Sequence, residues 1–144
     1  MRRNLLTRIG PVVSAAVCLA TSAAAAQSTQ PPAGVSEARS SLNAAFEARN
    51  AADAGKWFAD SAVADFGGEI HRGRTAISET WLPDVLGGLL SLSIGESTFS
   101  TEGDDVIDTA SHTVQTTEGP DQGTHRLRWR RMHGEWRVVL MEVH

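Results

Sequence analysis

Tyrosine is absent from the 144 residues, and cysteine occurs once. No phenol is therefore available as an acid or a hydrogen-bond donor. Cys18, the lone cysteine, sits in an apolar leader, so nothing after residue 26 offers a disulfide or a thiol nucleophile. The apolar stretch 9–20 falls short of the roughly 20 residues that span a bilayer as a helix. Metal motifs are missing as well: there is no H-x-H and no H-E-x-x-H, so a metal site would need His112, His125 and Glu142 to converge. No metal and no cofactor is expected. Basic residues are scarce: once Arg2, Arg3 and Arg8 are set aside, ten remain against 17 acidic ones. Five of the ten (Arg126, Arg128, Arg130, Arg131, Arg137) crowd into the last 21 residues. A net acidic chain with one basic stripe argues against nucleic-acid binding.

What is present begins with a leader. Arg2 and Arg3 precede the apolar run, which ends in ATSAAAAQ, and cleavage after Ala26 would fit an A-x-A site. Residues 1–26 are expected to be a secretory signal, of the Sec type or, from RRNLL, the twin-arginine type. The mature protein is then expected in the periplasm or outside the cell, with no membrane attachment after cleavage. Residues 27–35, QSTQPPAGV, read as a disordered polar lead-in. The rest, 36–144, has the length of one domain.

Within it, Ser36 is placed as the N-cap of a helix to about Asn50, with Ala38, Leu42, Ala45, Phe46 and Arg49 at helical spacing. Asp53 is placed as the cap of a second, short helix carrying Trp57 and Phe58. Strands follow at 62–66 and 69–72, turned by Gly67-Gly68. A third helix starts near Arg74, with Ile77, Trp81 and Leu82 on one side, and Pro83 kinks or restarts it. Strands are expected at 89–100 and 106–116, the second with Val106, Asp108, Ala110, His112 and Val114 on one face. EGPDQG then forms a loop. The run THRLRWRRMHGEWRVVLMEVH alternates apolar and polar residues around His133-Gly134, as a hairpin does. Read as an unbroken ladder, it sets Trp129 against Val138, Leu127 against Leu140 and His125 against Glu142. Val139, Met141 and Val143 would then lie on the outer face with Arg126, Arg128 and Arg130.

Three segments in this order, LNAAFEARNAADAGKWFADSAVADF, HRGRTAI and LRWRRMHGEWRVV, resemble the nuclear transport factor 2-like superfamily, most closely its SnoaL-like branch. The resemblance covers 36–144. It implies an α+β, cone-shaped fold, with three helices packed on a strongly bent, mostly antiparallel sheet of about six strands around an apolar cavity. Relatives include polyketide cyclases, ketosteroid isomerases and epoxide hydrolases, so fold alone does not fix chemistry. Isomerase relatives use a tyrosine hydroxyl that this chain lacks, and the epoxide hydrolase arrangement is likewise incomplete.

Enzymes of this superfamily place carboxylates at the cavity, where apolar walls suit them to proton abstraction. Asp65 is one candidate, sharing a strand face with Val63; the alternative is an edge carboxylate at the Gly67-Gly68 turn. The pair His125–Glu142 is the second candidate, an imidazole oriented by a carboxylate, or else a polar pair at the open end of the sheet. Trp57, Trp81, His112, Leu127, Trp129 and Leu140 are the candidate ligand-binding residues, any of which can equally fill the core. The leading expectation is an exported domain that binds a small apolar or amphipathic molecule. The alternatives are a metal-independent isomerase, cyclase or lyase, and a non-catalytic dimerisation module. A homodimer through the outer sheet face is expected from the apolar row there.

Overall fold

The computed structural model describes residues 26–144. The expected secretory signal therefore lies outside the described residues, apart from Ala26. Among those described, no helix is long and apolar enough to cross a membrane.

Helix α1, Val35–Glu47, buries Val35, Ala38, Leu42 and Ala45 along one stripe. It begins one residue before the expected cap. Gly34 occupies the N-cap at φ 85, and a Cβ there would lie 2.9 Å from the Trp136 indole nitrogen, so a side chain is excluded twice over. The preceding segment, expected to be disordered, pairs with the sheet at Ser28, which exchanges two backbone hydrogen bonds of 2.8 and 2.6 Å with Phe99. Helix α2, Ala51–Gly55, is capped by Asn50 rather than Asp53; the Asn50 side chain accepts from the Asp53 N–H at 3.0 Å. It ends before Trp57. Gly55 packs so closely on the next helical segment that a Cβ would fall 2.5 Å from that of Ser78. Phe58, expected in this helix, instead opens strand β1, Phe58–Phe66.

Strand β2, Glu69–Arg72, returns through Gly67 and Gly68, both at positive φ (59 and 98), as a two-residue hairpin turn requires. The third helical segment is divided in three. A short α3, Arg74–Ala76, runs into a π-helical turn, Ile77–Trp81, and then α4, Leu82–Gly87. The Leu82 N–H reaches back five residues to the Ile77 carbonyl. Pro83 has no N–H to give and its ring crowds the carbonyl of Glu79, so the helix widens just ahead of it. The expected kink takes this form. Ile77, Trp81, Leu82 and Leu86 face inward.

Four antiparallel strands complete the chain: β3, Leu89–Glu102; β4, Asp105–Thr116; β5, Gly119–Met132; and β6, Glu135–Val143. The predicted EGPDQG loop is mostly strand, since pairing of β4 with β5 starts at Thr116–Gly119. The six strands form one curved sheet in the order β2-β1-β6-β5-β4-β3, with β1 and β6 parallel. This is the expected α+β arrangement, with helices against the sheet's concave side. Trp129, Phe58, Leu42 and Val138, all at most 1% exposed, occupy the middle of the core. Truncating such side chains to alanine costs roughly 2–5 kcal/mol.

One irregularity reorders the β5–β6 hairpin. Pairs near its tip stand as read from the sequence: Met132 with Glu135, Arg131 with Trp136, Trp129 with Val138. Val139 is then an extra residue on β6, a β-bulge, and the ladder resumes with Arg128 opposite Leu140. Because side chains alternate with period two, one added residue exchanges the faces of everything beyond it. Leu127 therefore meets Met141, Arg126 meets Glu142, and His125 meets Val143. Met141 and Val143 turn inward; Leu140 and Glu142 turn outward. The expected pairing of His125 with Glu142 is not formed. Nor is the expected outer apolar row.

Candidate functional site

A cavity of about 100 Å³ lies between the sheet and the helices. Leu42 and Phe46 of α1, with Trp81 and Val85 of the third helical segment, wall one side. Leu92 and Ile94 of β3, Val114 of β4, Leu127 of β5, and Met141 and Val143 of β6 wall the other. The bulge at Val139 is what brings Met141 and Val143 to this wall. Three side chains supply its polar atoms: Asn43, His112 and His125.

The two histidines stand on adjacent strands, with Nδ1 atoms 3.2 Å apart and rings tilted by 34°. That distance is a hydrogen bond, so one ring carries its proton on Nδ1 and donates while the other accepts there. In the neutral pair the first ring then keeps a free acceptor at Nε2 and the second a free donor at Nε2. Burial lowers the pKa of His112, and it lowers that of His125 to about 4, reinforced by His112 and by the Arg39 charge. Both imidazoles are therefore neutral at pH 7. Gly123 makes room for the pair. It lies opposite His112, and a Cβ on it would sit 2.1 Å from the His144 carbonyl and 3.2 Å from the His112 ring.

The candidate residues separate clearly. Trp81, His112, His125 and Leu127 line the cavity. Trp129 is wholly buried beside Asp108, behind that lining. Trp57 lies elsewhere, under the Arg137 guanidinium at 5.7 Å, along a wide surface groove between α1 and the β5–β6 turn. That groove is larger, about 740 Å³, but it opens broadly to solvent and holds no buried titratable group. Leu140 and Glu142 face away from the cavity, Glu142 held by Arg126 at 2.9 Å. Asp65 also faces away, level with Glu142 and Ile70, and its Oδ1 accepts the Gly68 N–H at 2.8 Å. It caps the hairpin turn. Neither candidate base, Asp65 nor a His125–Glu142 pair, is therefore assembled at the cavity.

Sequence reasoning passed over Asp108 and Arg39. Asp108 is fully buried, with Arg39 Nε 2.9 Å from its Oδ2. Ser97 and the Trp129 indole also lie close, yet none of these contacts is well aligned, and Arg39 Nε, Ser97 Oγ, Trp129 Nε1 and both Asp108 oxygens lack a well-formed hydrogen bond. Burial raises the Asp108 pKa against the opposing pull of Arg39. A signal existed: Asp108 is the one carboxylate in an inward row that, His112 aside, is apolar, and Arg39 borders the apolar stripe of α1. Among the described residues no group of three or more His, Cys, Asp or Glu side chains comes together as a metal site would need.

No family model matches the sequence, and no curated protein matches it. Solved structures do. A protein from Shewanella frigidimarina NCIMB 400, provisionally assigned as a ketosteroid isomerase, superposes at a TM-score of 0.70 with 16% identity, over 77% of this chain and 94% of its own. A nuclear transport factor 2-like protein of unknown function from Pseudomonas putida KT2440 gives 0.66 at 15% identity, over 76% and 82%. A protein from Novosphingobium aromaticivorans, provisionally assigned as an aromatic ring hydroxylase, gives 0.65 at 16% identity, over 79% and 90%. Identities this low speak to architecture and not to chemistry. The chain has the nuclear transport factor 2-like fold.

Proposed function

We propose that this domain binds a small, mostly apolar molecule in the cavity between sheet and helices, with the His112–His125 pair as its polar contact. The observation carrying this reading is a hydrocarbon-walled cavity whose titratable groups are both neutral. Its volume, about 100 Å³, is below the roughly 150 Å³ of an engineered cavity that takes benzene. The ligand is accordingly a compact molecule, or one end of a longer one.

Binding is favoured over proton abstraction on grounds of base strength. His125, with a pKa of about 4, is deprotonated at neutral pH but a weak base, and a general base works best near the working pH. The two carboxylates that an isomerase, cyclase or lyase would draw on, Asp65 and Glu142, face away from the cavity. Export to the periplasm or beyond, read from the leader, belongs to the same proposal: a binding domain that meets its ligand outside the cytoplasm.

Native mass spectrometry of the protein purified from its own host tests the reading. A co-purifying small molecule is expected, and it should be lost in Val114→Trp, which fills the cavity from the sheet side, while the circular dichroism spectrum stays unchanged. An empty protein whose melting temperature no small apolar compound raises would overturn it.

A further inference from the structure

Two neutral imidazoles that share one Nδ1–H can be arranged in two ways, and the choice decides what the cavity offers a ligand. If His112 donates from Nδ1, His125 carries its own proton at Nε2 and is a donor to its surroundings. If His125 donates, its Nε2 is a bare acceptor. The indole nitrogens of Trp81 and Trp129 are sealed in the interior without a partner. Neither histidine Nε2 is closed off in that way, and among the described residues none bonds to either.

Strand register places a carboxylate beside one ring only. His112 lies opposite Gly123 and Val114 opposite Asp121, so His112 and Asp121 share a face as diagonal neighbours. Cε1 of His112, the ring atom between its two nitrogens, lies against Gly123, 3.2 Å from where a Cβ would stand. Its Nδ1 is turned along β5 towards His125, so its Nε2 falls on the Asp121 side. The Asp121 charge acts on His112, and the Arg39 charge acts on His125. A carboxylate near Nε2 of His112 favours a proton there, and a cation near His125 favours a lone pair at the outer end of that ring. Asp108, 2.9 Å from Arg39, offsets part of the second pull and leaves the first. Both act in one direction: His112 protonated on Nε2, His125 protonated on Nδ1, and Nε2 of His125 bare.

His125 is also the deeper of the two rings, 8% exposed, whereas His112 is half-buried. No charged side chain lines the cavity among the described residues, and desolvating an unpaired ion is costly. We infer that Nε2 of His125 is an acceptor at the cavity, and that the ligand is an uncharged molecule with a hydroxyl group that donates to it. This rests on the cavity being a ligand site, and the test separates the two claims.

NMR of histidine-labelled protein reads the protonation of each ring nitrogen before any ligand is added. His112 Nδ1 and His125 Nε2 are expected at the 15N shifts of bare nitrogens, and His112 Nε2 and His125 Nδ1 at those of N–H groups. Dissociation constants are then measured for cyclopentanol, cyclopentanone and methylenecyclopentane, which are close in shape; only the alcohol has a donor. The wild type is expected to prefer the alcohol over the other two by about tenfold, as one buried hydrogen bond allows. The His125 Nε2 resonance should move with the alcohol alone. His125→Phe, which keeps an aromatic ring and removes the acceptor, should bind all three alike. Asp121→Asn, at an exposed position outside the cavity, should admit the reverse arrangement, seen as averaged shifts at the four nitrogens and a smaller alcohol preference.

A proton on Nε2 of His125 in the ligand-free protein would overturn the inference. So would an alcohol preference that survives in His125→Phe, or a ketone bound as tightly as the alcohol; each leaves the cavity reading intact. Unchanged shifts in Asp121→Asn would overturn its positioning role. If His125→Phe does not fold, the wild-type Nε2 resonance decides. If none of the three compounds binds, the ligand assignment and the cavity reading fall together.

Discussion

The two faces of the sheet handle polar groups in opposite ways. Outside, Arg126, Arg128 and Arg130 alternate with Glu102, Asp105 and Glu142 in a ladder of ion pairs. Contacts include Arg130 Nε to Asp105 at 2.8 Å and Arg126 to Glu142 at 2.9 Å. The Arg130 hydrogen bond, aided by Arg128, pulls the Asp105 pKa down, and the same contacts raise those of both arginines. Inside, the polar groups are few and their hydrogen bonds are incomplete: a neutral histidine pair, a buried Asp108–Arg39 contact and the lone Trp81 N–H. Charges on the outer face are abundant, paired with one another and partly in water. Titratable groups on the inner face are scarce, and burial there favours the neutral forms of His112, His125 and Asp108. Apart from the Asp105 carboxylate, which the arginines cover, the members of this ladder are partly exposed, and such pairs contribute little to stability, whereas one unsatisfied polar group in the interior costs far more. Number of charges and energetic weight therefore run in opposite directions across this sheet.

The largest effect is expected where the inner face is stripped of a partner. Arg39→Leu leaves the Asp108 carboxylate buried and alone, and chemical denaturation should show a loss of about 3 kcal/mol. Adding Asp108→Asn should recover part of it; a double variant no more stable than Arg39→Leu would show that the two side chains are not coupled. Gly123→Ala comes next. Its new methyl must displace the His144 carbonyl and press on the His112 ring, so a loss of roughly 1–3 kcal/mol is expected, with changed imidazole shifts in NMR spectra.

Acid gives the third test. The His125 pKa is about 4 in the folded protein and 6.5 ordinarily. Between these values the unfolded chain takes up a proton that the folded one refuses. Stability should therefore fall as pH drops from 6.5 towards 4, by up to about 1.4 kcal/mol per unit from this group. His112 shifts in the same direction and adds to the slope. Asp108, shifted upward, has the opposite sign above its ordinary 3.8. His125→Phe should flatten the profile; an unchanged slope would show that His125 is not the group responsible. The smallest effect belongs outside. Arg128→Leu should cost no more than about 1 kcal/mol and should shrink further in salt. A loss matching that of Arg39→Leu would erase the contrast between the faces.

Much of the architecture was legible because it is written in short range. Gly67-Gly68 and His133-Gly134 mark their turns, the period of α1 marks its buried stripe, and the alternation of β5 marks its inward row. Pairing of Trp129 with Val138 followed from counting outward from the turn. Beyond Val138 the count failed, because Val138 and Val139 are equally apolar and equally β-branched. Nothing local distinguishes the extra residue from the next step of the ladder. Phe58 was misplaced for a related reason: Trp57-Phe58 reads as a helical face until one sees that Gly55 ends the helix by packing on Ser78. At the site, Trp81, His112, His125 and Leu127 were recognisable from the faces they share with apolar neighbours. Asp65 was not, because whether Val63 or Ala64 points to the cavity depends on the register of β1 against β6. That register is a long-range property.

The bulge at Val139 also bears on how this protein should be compared with others. An alignment that runs through β6 without a gap treats Glu142 and Leu140 as counterparts of cavity residues in a relative that lacks the extra residue. It also misses Met141 and Val143. Transferring an active-site signature along the C-terminal strand would then assign chemistry to the solvent side of the sheet, so correspondences are safer when drawn from superposed strands than from matched letters.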